Sequence, residues 1–534
     1  MSHKKILMGN EARKAIKVGV DIVADATKIT LGASGRNVAY DRGFGGPSVT
    51  NDGVSIAREI VLKDQIENMG ANFCKETSQR TNDAAGDGTT TSMVLLQAIL
   101  TEGLKKIDVG VSPMGIRKGI EKASKLAIGY LKSVAKPIKS DEETLQVAVI
   151  SAESKEIGEM IAKTVSKLGA DSVITIEESP LSGITSEISQ GMDFDKGFIS
   201  HYMVTNKDRM ESEVKDARIL VTDQKIGDIN SMVPIMDQLM SSGKRELVII
   251  AEDVVGECLQ TFILNTLRGV MTVLCIKAPG FGNRKRDYLE DISILTGATF
   301  IASDLGIKLE DLTLEHLGTA DRVVSTKDKT VIVGGRGSQI TIAERVASAK
   351  KEVEGLESKH DKLKVEERIA KLTGGVAVIK VGAATETETK YLKLKVEDAV
   401  AAVKASLEEG IVAGGGIALL RASQFIVKPE DLTDDEEVGF NIVLKALEAP
   451  LRQIAINCGI GDGSSVVERV LASKENINSG YDALKNVYSE DMIKDGIVDP
   501  VKVTRSALEN AVSSGGIILT LEVAIVEIKE DIKG

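Results

Sequence analysis

The chain contains no tryptophan and only 3% aromatic residues, so its cores have to be filled by Val, Ile, Leu, Ala and Met. Its four cysteines, Cys74, Cys258, Cys275 and Cys458, stand far apart with no CxxC pair, and its four histidines show no HExxH spacing. A disulfide framework and a zinc site are therefore both disfavoured. There is no GxxxxGK[ST] string, which argues against the common phosphate-loop fold. Basic residues number 67 against 79 acidic ones, a net charge of -12. That balance repels a polyanion, so nucleic acid is not an expected partner. The most apolar late stretch, 515–528, is interrupted by Glu522 and Glu527 and falls short of the roughly 20 residues that span a bilayer. The opening MSHKKILMGNEARK lacks the apolar centre of a signal peptide, so the expectation is a cytoplasmic protein with no membrane partner.

What is present is an ordinary globular balance, 43% hydrophobic and 27% charged, over 534 residues. Because single cores stop growing at about 250–300 residues, several domains are expected, roughly three. Ala12, Ile16, Val20 and Val23 share one helical face, and a further helix is expected over about Ser92–Leu104. Between about 191 and 376 short β runs, Leu247–Ala251, Met271–Ile276 and Val331–Val333, alternate with helical stretches. Ile342, Val346, Ala349, Val353 and Leu356 have the spacing of a packed helical hairpin at the far end of that region. From about Lys395 to Glu409 the pattern is again a long amphipathic helix. Helical, then α/β, then helical is the pattern of a domain inserted into another.

Four short elements combine a glycine turn or an acidic residue with a helix: Thr30–Asn37, Asn51-Asp52-Gly53, Asp87–Thr91 and Ala413–Gly416. Asp87-Gly88-Thr89-Thr90-Thr91 is the most informative. Glycine lets backbone N–H groups approach a phosphate, the following helix offers its positive end, and a carboxylate with hydroxyls suits a hard divalent cation. Each element alone is more often a cap or a tight packing site than a ligand site. Three threonines at a helix start, where Thr is a poor helix former, call for a cap or a ligand.

Taken in order, TLGASGRNV, TNDGVSIAREI, ENMGA, NDAAGDGTTT, KAPGFG, TGGVAVIKVGAATE, VEDAV, EEGIVAGGGIAL, APLRQIAINCG and DPVKVTRSAL resemble the GroEL-type group I chaperonins over almost the whole chain. The resemblance implies a multidomain fold. A mostly α-helical equatorial ATPase domain would be built from 1–133 and 410–534, a small α/β intermediate domain from 134–190 and 377–409, and an inserted α/β apical domain from 191–376. It implies ATP and Mg2+ as cofactors, with K+ as a further candidate. Around the nucleotide it would set Thr30, Leu31, Gly32, Ala33, Asn51, Gly53, Gly88, Thr89, Thr90, Thr91, Ser151, Gly414, Gly415, Tyr481, Asp482, Ala483, Ile497 and Asp499, with Asp87 as the metal ligand. Asp398 matches the carboxylate that orients the attacking water, and Asp52 its helper. The implied partners are non-native polypeptides, a GroES-type co-chaperonin lid and copies of the chain itself in a sevenfold ring.

The sequence departs from the family pattern at Asn51, where Lys is usual, at Ala33-Ser34, where a Pro-Lys pair is usual, and at Asp482, where Asn is usual. Two basic groups near the expected phosphates are thereby missing. Gly191, Gly374, Gly375, Gly410 and Pro137 lie at the implied domain crossings and suit hinges.

Two segments of the inserted region carry more apolar surface than one packed face needs. Cys258, Leu259, Phe262, Ile263, Leu264 and Leu267 spread over more than half a helical circumference, and Met232, Ile235, Met236, Leu239 and Met240 form a stripe rich in adaptable Met. The residues alone favour burial of both helices inside the α/β domain. By resemblance, Phe198, Tyr202, Met203, Val233, Met236, Leu259, Ile263 and Leu264 would bind non-native polypeptide and the lid's mobile loop. The competing expectations are an ATP-using metabolic enzyme, which would show a polar pocket in the inserted domain, and a non-catalytic scaffold, which would lose Asp87 or Asp398.

Overall fold

The structure is a computed structural model describing residues 3–41, 48–169, 173–207, 209–356, 358–473 and 476–527. Its helices in chain order are α1 (Gly9–Lys28), α2 (Gly53–Glu59), α3 (Gln65–Ala85), α4 (Thr89–Asp108), α5 (Pro113–Ser133), α6 (Asp141–Ala152) and α7 (Lys155–Leu168). They continue as α8 (Val233–Ser241), α9 (Gly256–Leu267), α10 (Asn283–Thr296), α11 (Gln339–Gly355), α12 (Lys359–Gly374) and α13 (Glu386–Glu409). The last are α14 (Ile417–Phe425), α15 (Asp434–Ala446), α16 (Ala449–Asn457), α17 (Ser464–Ala472) and α18 (Val501–Leu519). The chain divides into two compact units, one of Met1–Ala170, Ile176–Thr185 and Lys380–Gly534, the other of Asp171–Thr175 and Ser186–Ile379. The second is thus an insertion in the sequence of the first.

The first unit is helical. Ala12, Ile16, Val20 and Val23 of α1 are all fully buried, as their spacing predicts, in a core shared with α3, α4, α5, α15 and α18. With few aromatics to fill space, the helices approach until their backbones touch. A Cβ on Gly19 of α1 would lie 1.7 Å from the Glu67 carbonyl oxygen of α3, and one on Gly70 of α3 would lie 1.9 Å from the Ile16 oxygen. Gly119 of α5 and Gly439 of α15 form a second such reciprocal pair, at 1.9 and 2.1 Å from the Glu436 and Ile116 oxygens. Small residues at a crossing allow close packing, and any larger side chain there forces the helices apart.

The second unit is built on a seven-stranded mixed sheet. Its path runs from Thr272–Lys277 through Glu246–Ala251, Ser212–Thr222, Gly318–Ser325 and Thr330–Gly335 to Gly191–Phe194, and Phe300–Ile301 pairs beside Ser212–Thr222. The first three strands run parallel, and Leu247–Ala251 are all buried, as suits a sheet covered on both faces. α9 packs on the Thr272–Lys277 strand. Ile342, Val346 and Ala349 of α11 are buried, and α11 packs along α12 as a hairpin. Asp291 of α10, fully buried, is held by Arg345 at 2.6 Å and Arg368 at 2.8 Å, which ties that hairpin to α10.

Candidate nucleotide site and apolar groove

Asp87 sits in a turn that glycine makes possible. α3 closes on Gly86 at φ +71°, whose N–H donates to the Asn82 oxygen at 2.7 Å, and α4 opens on Gly88 at φ +82°. Both are left-handed conformations that a side chain disfavours. No side chain caps α4, and the first bond of its ladder, Ser92 N–H to the Gly88 oxygen at 3.0 Å, leaves the Thr89, Thr90 and Thr91 amides without an intrahelical partner. Thr89 and Thr90 are buried and Thr91 half-buried, so the uncapped end is packed in protein. Gly53, the first residue of α2, lies against it: a Cβ there would be 2.2 Å from Thr90 Oγ1 and 3.2 Å from Thr89 Oγ1. Asp52 caps α2, its carboxylate accepting from the Val54 amide at 3.2 Å and the Ser55 amide at 3.0 Å. Asn51, half-buried, follows the buried Thr50.

Burial pushes the Asp87 carboxyl above the usual carboxylate range, the Gly88 amide opposes the shift, and the Asp52 charge adds to it. Asp499 joins the same cluster. It lies on the strand Val498–Pro500 opposite Val412, and a Cβ on Gly414 would be 3.1 Å from its Oδ1. Burial, with the nearby Asp87 charge, raises Asp499 to about 7, against the pull of the Gly415 and Gly416 amides, which donate to it. Gly415 at φ +67° and Gly416 at φ +78° lead into α14, and the Gly414 amide donates to the Ile497 oxygen at 3.0 Å. Crowded carboxyls of this kind are relieved by a cation. Among the described residues no set of three His, Cys, Asp or Glu groups is close enough to hold a metal alone. Mg2+ characteristically takes one or two carboxylates and completes its shell with phosphate and water, so Asp87 beside an uncapped helix end fits it.

Asp499 gives a pH test in the nucleotide-free, metal-free protein. A carboxyl raised from 3.8 to about 7 on folding keeps a proton that the unfolded chain releases, so it costs stability as pH rises through that window. Asp499→Asn is expected to be the more stable variant at about pH 7.5, by on the order of a few kcal/mol, and to converge on the parent near about pH 4. Chemical denaturation at the two pH values measures it. A constant difference across the window would remove the ionisation argument.

α13 lies directly against this cluster. A Cβ on Gly86 would come within 2.2 Å of the Ala401 methyl, so the glycine next to Asp87 also admits α13. Asp398, half-buried, is three residues before Ala401 and thus on the same helical face. α13 is held by ion pairs in its middle and at its C-terminal end: Lys395 to Glu153, the residue that follows α6, and Glu408 and Glu409 to Lys502 and Arg505 of α18. Ser151, half-buried on α6, belongs to a helix that packs on both α13 and the Asp499 strand.

The remaining candidates form a second wall. Thr30 Oγ1 approaches Thr90 Oγ1 at 3.5 Å, Leu31 is half-buried, Gly32 takes φ +83°, and Ala33 is exposed. Asn457 Nδ2 donates to the Lys28 and Leu31 oxygens at 2.9 and 2.8 Å, and Cys458 Sγ lies 3.4 Å from Ser34 Oγ and 3.5 Å from the Ala483 oxygen, its single S–H available to one of them. The end of α16 therefore pins the 30–34 loop beside the 481–483 segment. Tyr481 is buried, its hydroxyl donates to Asn486 Oδ1 at 2.7 Å, and burial raises it to about 12. Asp482, also buried, accepts from the Leu484 and Lys485 amides at 3.0 Å each; burial raises its carboxyl, but Lys485 outweighs this and holds it below the usual range. Its carboxylate is thus engaged in shaping its own turn. Asn457 and Cys458 were not among the expected site residues, since nothing in their spacing marks them as anchors.

In the second unit, α8 and α9 border a groove of about 210 Å³ lined by Ile229, Val233, Met236, Met240, Thr261 and Asn265 among others. Of the expected capture residues, Tyr202 (62% exposed), Val233 (41%) and Leu264 (47%) face outward, and Leu259 and Ile263 are half-buried against the core. Phe198, Met203 and Met236 are buried, and Met203 Sδ accepts from the Cys275 amide at 3.4 Å. The Met-rich stripe splits: Met232, Ile235 and Leu239 belong to the core and Met240 is outside. On α9, Cys258 and Phe262 take the buried face while Leu264 and Leu267 remain uncovered. Thr261 and Asn265, one turn apart, form the polar side of the groove, which an apolar periodicity does not reveal.

No described helix is long and apolar enough to cross a membrane. Among solved structures, the chaperonin gp146 from bacteriophage EL 2 (Pseudomonas aeruginosa), crystallised in the presence of ATP-BeFx, matches with a TM-score of 0.67. The alignment covers 98% of this chain and 99% of that one at 19% sequence identity, which is a likeness of fold. The TCP-1/cpn60 chaperonin family matches residues 23–529, nearly the full length of helical body and inserted α/β unit alike. By that match the chain belongs to the TCP-1/cpn60 chaperonin family.

Proposed function

We propose that the protein is an ATP-dependent group I chaperonin subunit that captures non-native polypeptides on the α8–α9 groove and encloses them in a ring chamber driven by ATP binding and hydrolysis. The observation that carries this reading is the meeting of the uncapped, carboxylate-flanked start of α4 with the Asp398 face of α13, in a family of chaperones. The structural relative's crystallisation with an ATP analogue supports the nucleotide part.

In this reading the Thr89–Thr91 amides and hydroxyls hold phosphate oxygens, and Asp87 is the residue that would hold Mg2+, which would neutralise phosphate charge. Asp398 accepts a hydrogen bond from the attacking water, and Asp52, rigid in its cap, helps to place it. Thr30–Ala33, Asn51, Gly53, Ser151, Gly414, Gly415, Tyr481–Ala483, Ile497 and Asp499 surround the nucleotide. The body divides further into equatorial (1–133, 410–534) and intermediate (134–190, 377–409) domains, with 191–376 as the apical domain. The outward-facing Tyr202, Val233 and Leu264 offer the first contact to an unfolded chain, whose shared property is exposed apolar surface. Phe198, Met203 and Met236 support that surface from beneath rather than forming it.

The test is phosphate release by the purified protein with ATP, with and without Mg2+, beside suppression of aggregation of a denatured protein. Both activities are expected, with hydrolysis dependent on the metal. Metal-independent turnover, or hydrolysis without protection, would contradict the reading.

A further inference from the structure

Arg421 of α14 is only 1% exposed and is the largest of the fully buried side chains. Among the described residues it forms no ion pair, and burial, the larger influence, lowers its pKa while Tyr130 opposes. A buried guanidinium without a counter-charge is strongly penalised unless its donors are satisfied. Here they are. Nε donates to the Ile477 oxygen at 3.2 Å, Nη1 to Gln424 Oε1 at 2.8 Å, and Nη2 to the Ser479 oxygen at 3.2 Å, Ser479 Oγ at 2.8 Å and the Asn476 oxygen at 3.5 Å.

All but Gln424 belong to the segment immediately before Tyr481 and Asp482, three of them backbone carbonyls. One turn earlier on the same face of α14, Ile417 packs so closely on Gly480 that a Cβ there would lie 2.7 Å from Ile417 Cγ1. The other end of α14 is the Gly414–Gly416 turn, whose amides meet Asp499. One short helix therefore carries the glycine turn at its start and grips the 476–480 backbone through its body. We infer that Arg421 is a positioning residue which sets the register of the Tyr481–Ala483 segment, on whose side the nucleotide base would lie, against the Asp87–Thr91 and Gly414–Gly416 turns, which would hold the phosphates. It touches no nucleotide; a charge-assisted grip on three carbonyls resists sliding of the segment in a way that apolar packing does not.

The inference rests on the reading of the Asp87–Thr91 and Tyr481–Ala483 region as an ATP site. The test is steady-state ATP hydrolysis by the full-length protein, comparing the parent with Arg421→Gln and Arg421→Lys, with Mg2+-tripolyphosphate as a competing ligand that has phosphates but no base. Arg421→Gln is expected to raise KM for ATP about tenfold with kcat changed less than about threefold, the split that marks lost binding rather than lost chemistry. Arg421→Lys should recover part of the loss. Inhibition by tripolyphosphate should stay within about twofold of the parent, because the phosphate wall is untouched.

An unchanged KM, a fall in kcat alone, or equal weakening of ATP and tripolyphosphate would each overturn the assignment. If Arg421→Gln does not fold, Ser479→Ala, which removes one acceptor and keeps the charge, must raise KM in the same direction; an unmoved KM in both Ser479→Ala and Arg421→Lys overturns it. A parent that hydrolyses no ATP overturns the nucleotide reading itself, a result distinct from all of these.

Discussion

Asp398→Ala is expected to leave ATP binding within a few-fold of the parent and to slow hydrolysis by about 100-fold or more, the loss typical of removing a positioned acid–base group. The side chain lies on the face of α13 that meets the Gly86–Asp87 turn, one helical turn before Ala401. Its helix is held in place by Lys395–Glu153 in its middle and by the Glu408–Lys502 and Glu409–Arg505 pairs at its C-terminal end, none of which alanine at 398 removes. α13 should therefore stay docked, and the phosphate contacts made by α4 should stay formed. What is lost, in the proposed reading, is the acceptor that aligns water for in-line attack, and phosphoryl transfer depends mainly on such positioning and on charge neutralisation. Equilibrium ATP binding and single-turnover phosphate release separate the two effects. Near-parental turnover would remove Asp398 from the mechanism, whereas lost binding would mean that it serves α13 docking instead.

The second large effect concerns capture. Ile263 looks like the natural probe from its place in the apolar excess of α9, yet it is half-buried against the core, so replacing it confounds capture with folding. Val233 and Leu264 are 41% and 47% exposed and avoid that difficulty. The double change Val233→Ser with Leu264→Ser removes apolar area available to a partner, about 1 kcal/mol for each half-exposed side chain when a partner covers it. Two such losses weaken one groove by roughly 30-fold, and several grooves engaging one chain multiply the effect into loss of stable capture. Basal ATP hydrolysis should persist, because the nucleotide residues lie in the other compact unit. Aggregation suppression measured beside phosphate release decides: full protection by the double variant would clear the groove of the role, and loss of both activities would point to misfolding.

Local order was legible where one physical demand dominated. The four apolar positions of α1 are all buried, and the Gly-Asp-Gly turn followed by three threonines does open an uncapped helix. The strand Glu246–Ala251 begins one residue before its apolar run. Legibility failed where polar residues carry structure. α13 begins at Glu386, capped by Thr385, well before the apolar pattern that starts near Lys395, because its first turns are charged. The buried Asp482 serves its own turn, and Arg421 and Asn457 anchor loops through backbone carbonyls, contacts that no periodicity encodes. In the groove, apolarity did not separate outward-facing Val233 from buried Met203, since both read as hydrophobic until the sheet and helices divide them.

The most direct test of the central claim, that nucleotide chemistry in the helical unit governs an apolar capture surface in the inserted one, is release of a captured chain on addition of Mg2+-ATP. A fluorescently labelled denatured protein is bound to the nucleotide-free protein, and its dissociation is followed by anisotropy. Stable capture without nucleotide and release when Mg2+-ATP is added are expected, with Asp398→Ala releasing once but failing to recapture at the parental rate. Capture and release indifferent to ATP, in a protein that binds and hydrolyses it, would uncouple the helical unit's nucleotide chemistry from the groove.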